Sequence, residues 1–143
     1  MPNTLEQLEK VLLPEVGKVV AMIVYGLDGR TVVIKRPEDE EWAPGKYSPP
    51  VGHVERSDIS WLFFCKEHGL LNGNKEDLYF VAGQRELSEE VRRTPSQVSL
   101  KHVGQYTDPE TDLNVIVLGG YMLSGPKSPS LYPSEEASET RWF

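Results

Sequence analysis

The chain of 143 residues has one cysteine, Cys65. That excludes an internal disulfide and a zinc site built on several cysteines, and the residue reads as a small core side chain. No apolar run approaches the roughly 18–20 residues that a membrane helix needs. The N-terminus also lacks the charged-then-apolar pattern of a secretory leader. Basic residues are outnumbered: 15 Lys and Arg face 22 Asp and Glu, for a formal charge of −7. A protein that holds nucleic acid through a broad basic surface needs the opposite balance. These absences predict a cytoplasmic protein with no membrane partner and no stable nucleic-acid partner. What remains is ordinary for a globular chain, 38% hydrophobic and 26% charged, with a mean hydropathy of −0.41. There are no internal repeats, and the length suits a single domain over residues 1–143.

Local patterns divide the chain. Residues 1–14 read as a helix with Asn3 or Thr4 as cap, Glu6 or Gln7 as the reciprocal partner, and Leu5, Leu8 and Leu12 on one face up to Pro14. Val19 to Tyr25 is β-branched and apolar, Asp28-Gly29 is a favoured hairpin turn, and Arg30 to Lys35 resumes as a strand, so a β-hairpin is expected. Pro37 to Pro50 reads as a loop. A short helix follows, capped by Ser57 or Asp58 and ending near Gly69, and then a longer one from Lys75 to Arg93, stopped by Pro95. Strands are expected at Val98 to Tyr106 and Leu113 to Leu123, turning at Asp108-Pro109, with a closing strand at Glu139 to Phe143. The irregular interleaving predicts an α/β domain.

The stretch Arg85-Glu86-Leu87-Ser88-Glu89-Glu90 carries the chemistry. At 3.6 residues per turn, Glu86, Glu89 and Glu90 share an arc of about 100° on one helix face, with Tyr79 and Gly83 beside it. Phe80, Leu87 and Val91 fall on another arc that should meet the core. Like charges at these spacings destabilise a helix by a few tenths of a kcal/mol per pair unless a cation compensates. An all-oxygen ligand set favours Mg²⁺, with Mn²⁺ able to substitute. A solvated acidic face explains the same cluster, so the cluster alone leaves both readings open.

Arg-Glu-Leu-Ser-Glu-Glu resembles the core of the Nudix box, Arg-Glu-aliphatic-any-Glu-Glu. Residues Pro49 to Glu55 are similar to the glycine-containing loop that opens that box. The segment Val33 to Arg36, the Gly45-Lys46-Tyr47 lead-in, and Ser134 to Phe143 resemble the family's flanking strands and loop, in the family's order. The resemblance implies a Nudix-like (MutT-like) α/β/α sandwich with a mixed β-sheet. It also implies a Mg²⁺-dependent hydrolase that cuts the diphosphate linkage of a nucleoside diphosphate attached to another moiety. By position, Glu86, Glu89 and Glu90 become the metal ligands together with a carbonyl at Gly52. Glu89 becomes the group that orients or deprotonates water, with Glu136 as a rival base among Glu135, Glu136 and Glu139. Arg85 braces the carboxylates. Arg36 meets phosphate, Trp42 or Tyr47 stacks on a base, and His53 sits at the site's edge. The small-molecule partner is a nucleoside diphosphate derivative, and a homodimer is compatible with the family's habits.

The sequence departs from the family pattern in three places. Counted from Gly52, the box glutamate position holds Asp58, which serves equally as a helix cap. The box arginine falls at position 66 and stands at 85, so residues 59–77 read as an insertion within the box. Trp61, Phe63, Phe64 and Leu70 in and near it read as added core rather than as a dimer face or lid. The family's next Gly and aliphatic positions hold Arg92 and Arg93. These departures keep an alternative open, a catalytically silent Nudix-like module that binds a nucleotide or a protein. A prenyl diphosphate isomerase of the same fold ranks lower, because the sequence around Cys65 does not resemble a catalytic cysteine setting. His68 and His102 have no metal-like spacing.

Overall fold

The computed structural model describes residues 3–26, 29–36, 38–39, 44–91, 98–122 and 139–142. Helix α1 (Leu5–Leu12) begins as its capping box requires. The Gln7 N–H donates to Thr4 Oγ1 at 3.2 Å, and the Gln7 side chain accepts from the Thr4 and Asn3 N–H groups. Pro14 ends α1 in a 3₁₀ turn, Leu13–Glu15. Leu8 and Leu12 are buried and anchor the helix to the core.

Strands β1 (Val19–Tyr25), β2 (Val32–Lys35), β3 (Tyr47–Ser48) and β4 (Val51–His53) precede helices α2 (Arg56–Glu67) and α3 (Lys75–Val91). Strands β5 (Val98–Thr107), β6 (Asn114–Met122) and β7 (Glu139–Trp142) follow. The larger sheet has the order β4-β1-β6-β5 and the smaller one β3-β2-β7. In the larger sheet β1 runs parallel to β6 and antiparallel to β4, which makes it mixed. The α/β class therefore stands, with α1 ahead of β1 and with α2 and α3 between β4 and β5 in the chain.

The expected hairpin is only partly formed. Tyr25 and Thr31 make one isolated antiparallel bridge, and the Gly26 N–H reaches the Arg30 carbonyl at 2.7 Å. Beyond that, β1 and β2 part into different sheets. Strand β1 is apolar on both sides of its pleat and finds partners on both edges, which leaves β2 to pair with β3 and β7. Asp28 lies outside the described residues. Two further differences concern short strands: Tyr47–Ser48 and Val51–His53 read as loop because prolines and a glycine dominate them, yet both pair.

Alternation along β1 and β6 separates two faces. Val20, Met22, Val24, Ile116 and Leu118 point toward α3 and are buried with Leu78, Ala82 and Leu87. Gly83 explains how closely α3 sits: a β-carbon there would press into Leu118 and approach Leu100 and Met22. The missing side chain thus serves helix-on-sheet packing, not the approach of a ligand. Tyr79 likewise turns inward. Phe80 packs against the core and Leu87 is buried, while the Val91 side chain lies outside the described ones.

Helix α2 starts two or three residues earlier than expected. Glu55 takes the cap position, and Asp58, three residues into the turn, accepts its N–H at 2.8 Å. The helix ends at Gly69 with φ +72°, where the Leu70 N–H closes back on the Cys65 carbonyl at 2.9 Å. Ile59 and Leu62 join the core and Phe63 packs at its border. Trp61, Phe64 and Leu70 do not: they remain 57%, 46% and 69% exposed, with Leu70 beyond the helix end and Trp61 bordering an open pocket with Val81, Gln84 and Ser88 of α3. Trp61 stacks on Phe64 with centroids 5.1 Å apart.

One polar group is built into this core. The Tyr79 hydroxyl donates to Glu15 Oε1 at 2.7 Å, and Lys18 Nζ pairs with the other carboxylate oxygen at 2.6 Å. Burial pushes the Glu15 carboxyl up, but the hydrogen bonds from Lys18 and Tyr79 outweigh it and hold it below its ordinary value. Burial and the adjacent Glu15 raise the Tyr79 phenol. A depressed carboxylate stabilises the fold fully above its unfolded value and loses that contribution as the pH falls through the folded one. Tyr79→Phe is therefore expected to cost about 1.5–3 kcal/mol at neutral pH, read by urea unfolding. Its deficit against wild type should shrink as the pH is lowered through the carboxylate range. A deficit independent of pH would remove Glu15 as its cause.

Candidate active site

The site is assembled around Arg85, on the third turn of α3. Its Nε and Nη2 meet both oxygens of Asp58, at 2.7 and 3.2 Å. Its Nη1 donates to Glu86 at 2.8 Å and to Glu89 at 3.0 Å. Nη2 also donates to the His53 carbonyl at 2.8 Å, and Glu55 lies 3.5 Å from Nη1. One planar cation thus fastens β4, the start of α2 and the acidic face of α3. Burial opposes the guanidinium's charge, but hydrogen bonding to Asp58 and the adjoining Glu86 charge hold its proton more firmly than water does. Asp58 is 2% exposed; it is not the cap itself but a reciprocal partner of the cap and of Arg85.

Glu86 is 5% exposed and lies directly over Gly52 of β4. A β-carbon at Gly52 would fall on its carboxyl group. Glu89 is one turn on, at the exposed rim of the helix, with its carboxylate on Arg85. The Glu90 side chain lies outside those described. Among the described residues, no three His, Cys, Asp or Glu side chains already form a metal cage. Even so, the donor set fits a hard divalent cation: a buried carboxylate over a side-chain-free backbone, a second carboxylate beside it, and only oxygen atoms.

A cleft of about 530 Å³ opens on the face of the larger sheet away from α3. Gly52, His53, Glu86 and Arg36 line it. Tyr47 is exposed and is not among its walls. Trp42 and Glu136 lie outside the described residues, as does the Glu139 side chain. Sequence reading missed Tyr106, Thr111 and Leu113, which close the far end, and Glu55 beside Arg85. The alternation that sends Val20 and Met22 to the core sends Val19, Ala21 and Ile23 to the cleft, so the floor was available from that pattern.

The sequence matches no protein-family model and no curated protein. Solved structures do resemble the fold. A NUDIX hydrolase from Alicyclobacillus acidocaldarius superposes with a TM-score of 0.60 at 16% identity, over 90% of this chain and 78% of that one. The Ap4A hydrolase of C. elegans gives 0.56 at 18% identity, over 87% and 78%. A NUDIX hydrolase from Nitrosomonas europaea gives 0.55 at 18% identity, over 90% of this chain and 57% of that one. The architecture is that of the Nudix hydrolases, and this chain has the Nudix fold.

Breaking the Arg85 clamp should be costly, because its acid partner is buried and the freed guanidinium is four-fifths covered. Asp58→Ala is expected to lose about 2–4 kcal/mol of unfolding free energy, measured by chemical denaturation. A loss below about 0.5 kcal/mol, the range of ordinary surface changes, would mean that the pair does not hold the site together.

Proposed function

We propose that the chain is a Nudix-type hydrolase that cuts the diphosphate linkage of a nucleoside diphosphate joined to another moiety, with Mg²⁺ as cofactor and Mn²⁺ as substitute. The observation that carries this reading is the Arg85 clamp, which holds Glu86 over Gly52 and Glu89 beside it at one end of a substrate-sized cleft. Glu86, Glu89 and Glu90, with the Gly52 carbonyl, would hold the metal. Bound there, it would neutralise diphosphate charge and make a water more acidic.

The chain's own residues supply the rest. Glu89, the more exposed of the two described carboxylates, orients the attacking water and accepts its proton. Arg85 positions both carboxylates and does not touch substrate, since its donors are already engaged. Arg36, on the cleft wall, meets a phosphate oxygen, and His53 borders the reacting group. Glu136 is the rival base, and Trp42 or Tyr47 is the ring that stacks on a base. Residues 59–77 are an insertion between the two halves of the box, and Asp58 substitutes for the box glutamate as the partner of Arg85. The protein acts in the cytoplasm on a small molecule, as a single domain or a homodimer of it. A binding module without catalysis is the second reading, favoured by one observation: both described carboxylates already share Arg85 Nη1.

Three measurements test these readings. Glu89→Gln is expected to lower metal-dependent diphosphate hydrolysis by at least a hundredfold with the melting temperature unchanged; an undiminished rate would remove Glu89 from the mechanism. Millimolar Mg²⁺ is expected to raise the melting temperature of the wild type and to have no effect on Gly52→Ala, whose new methyl group displaces the Glu86 carboxyl. Equal shifts in both proteins would place the cation elsewhere. Nucleotide binding without turnover across a panel of diphosphate derivatives would favour the module.

A further inference from the structure

Three rings along α2 and at its end face water. Trp61, Phe64 and His68 form a ladder, with centroids 5.1 Å apart between the first two and 4.2 Å between the second two. Even so stacked, Trp61 is 57% exposed and Phe64 46%. Ser57 lies one turn before them, so the seam is spaced by four, three and four residues. That spacing is the one by which a helix face meets another helix. An open pocket of about 340 Å³ lies beside Trp61, with Val81, Gln84 and Ser88 of α3 across it. Asp58 and Arg85 also line it, but they pair with each other at 2.7 Å. The pocket therefore presents apolar and neutral surface.

Two properties of this face select a second copy of the chain as its occupant. The first is that the four-three-four spacing is the same from either end. An identical helix laid antiparallel across it, on a two-fold axis between positions 61 and 64, sets Trp61 against the second copy's Phe64. Ser57 then meets the second copy's His68. The second property is charge. In a two-fold contact each patch meets itself, which rules out a patch of one sign. The chain carries −7, yet Ser57, Ser60, Trp61, Phe64, Gln84 and Ser88 are all uncharged. The charges that border the seam are of opposite sign: Arg56 and Glu67 lie within about 20° of each other on one flank, at the two ends of α2. Reversing the helix brings Glu67 of one copy to within about 3 Å of Arg56 of the other along the axis, and the symmetry repeats the pair. Arg56 is 70% exposed even while it meets Glu9, and a guanidinium has donors to spare.

We propose that the chain forms a two-fold dimer through the outer faces of α2 and α3, with Phe64 of each copy entering the pocket beside Trp61 of the other. A ring set between the side chains of a facing helix pair is knob-into-hole packing. A buried aromatic side chain covers about 150–250 Å². With Trp61 and Phe64 each near half exposure, the four rings supply roughly 400 Å² of contact. A stable interface needs about 1,200 Å² or more, so the surrounding helix faces supply the larger share. The contact is accordingly weak and reversible, with a Kd of roughly 1–100 μM. It lies outside the cleft and does not depend on the hydrolase reading.

Sedimentation velocity of the full chain across that concentration range tests this. Wild type is expected to pass from monomer to dimer and no further, and its melting temperature to rise with concentration. Trp61→Ala should weaken the dimer about 30-fold or more and keep the melting temperature of dilute wild type. Glu67→Arg sets two arginines against each other and should weaken it about 5-fold. Adding Arg56→Glu to Glu67→Arg should restore wild-type association. That rescue reads the antiparallel register, which indiscriminate sticking of exposed rings does not reproduce. A wild type that stays monomeric well above the range overturns the proposal and leaves the face to a different protein or an apolar small molecule. Dimerisation unchanged in Trp61→Ala overturns it too, and so does a double variant that associates no better than Glu67→Arg alone. Growth beyond a dimer marks a head-to-tail contact and also overturns it.

Discussion

The geometry of the site depends on one cation in a crowd of anions. Arg85 is covered on most sides, and its donors reach Asp58, Glu86, Glu89 and the His53 carbonyl. Without it, three carboxylates from two helices would repel one another where β4, α2 and α3 meet. A lysine has the charge but not the planar fork, and so could not satisfy a bidentate aspartate, two glutamates and a carbonyl together. A short acid suffices for the clamp at position 58. Placed on the first turn of α2, it is delivered to the guanidinium by the helix, while its second duty to the Glu55 N–H fixes where that helix begins.

The sheet supplies the second constraint. Because side chains alternate, β1 and β6 present one aliphatic row to α3 and another to the cleft, so the same strands build the core and the floor of the site. Two glycines adjust the fit at different points. Gly83 lets α3 settle on Leu118, and Gly52 makes room for the Glu86 carboxyl. Both glycines owe their place to a close approach rather than to an unusual backbone angle. The carboxylates are therefore set by helix-on-sheet packing as much as by their own helix.

Helix α2 divides its labour. Ile59 and Leu62 extend the core, and Asp58 completes the clamp, but Trp61 and Phe64 stack on each other in the open. Twelve residues of helix cannot turn every hydrophobe inward when only one face has neighbours. An aromatic-rich segment is for that reason a poor guide to how much core it adds.

The sequence alone determined the presence of the three helices, the cap of α1, and most strands. These follow from local rules: capping by Thr4 and Gln7, periodicity around Phe80 and Leu87, and β-branched runs at Val19 to Val24. The Arg85–Glu86–Glu89 spacing was legible for the same reason, because it lies within one helix. Only the tertiary structure decided that β1 and β2 would part into two sheets, that Val51 to His53 would be a strand under Glu86, and that Asp58 would meet Arg85 across 27 residues of chain. It alone brought Tyr106 to the far end of the cleft that His53 borders. Those outcomes depend on which strand edges are left open and which side chains meet in three dimensions, and no local pattern records either.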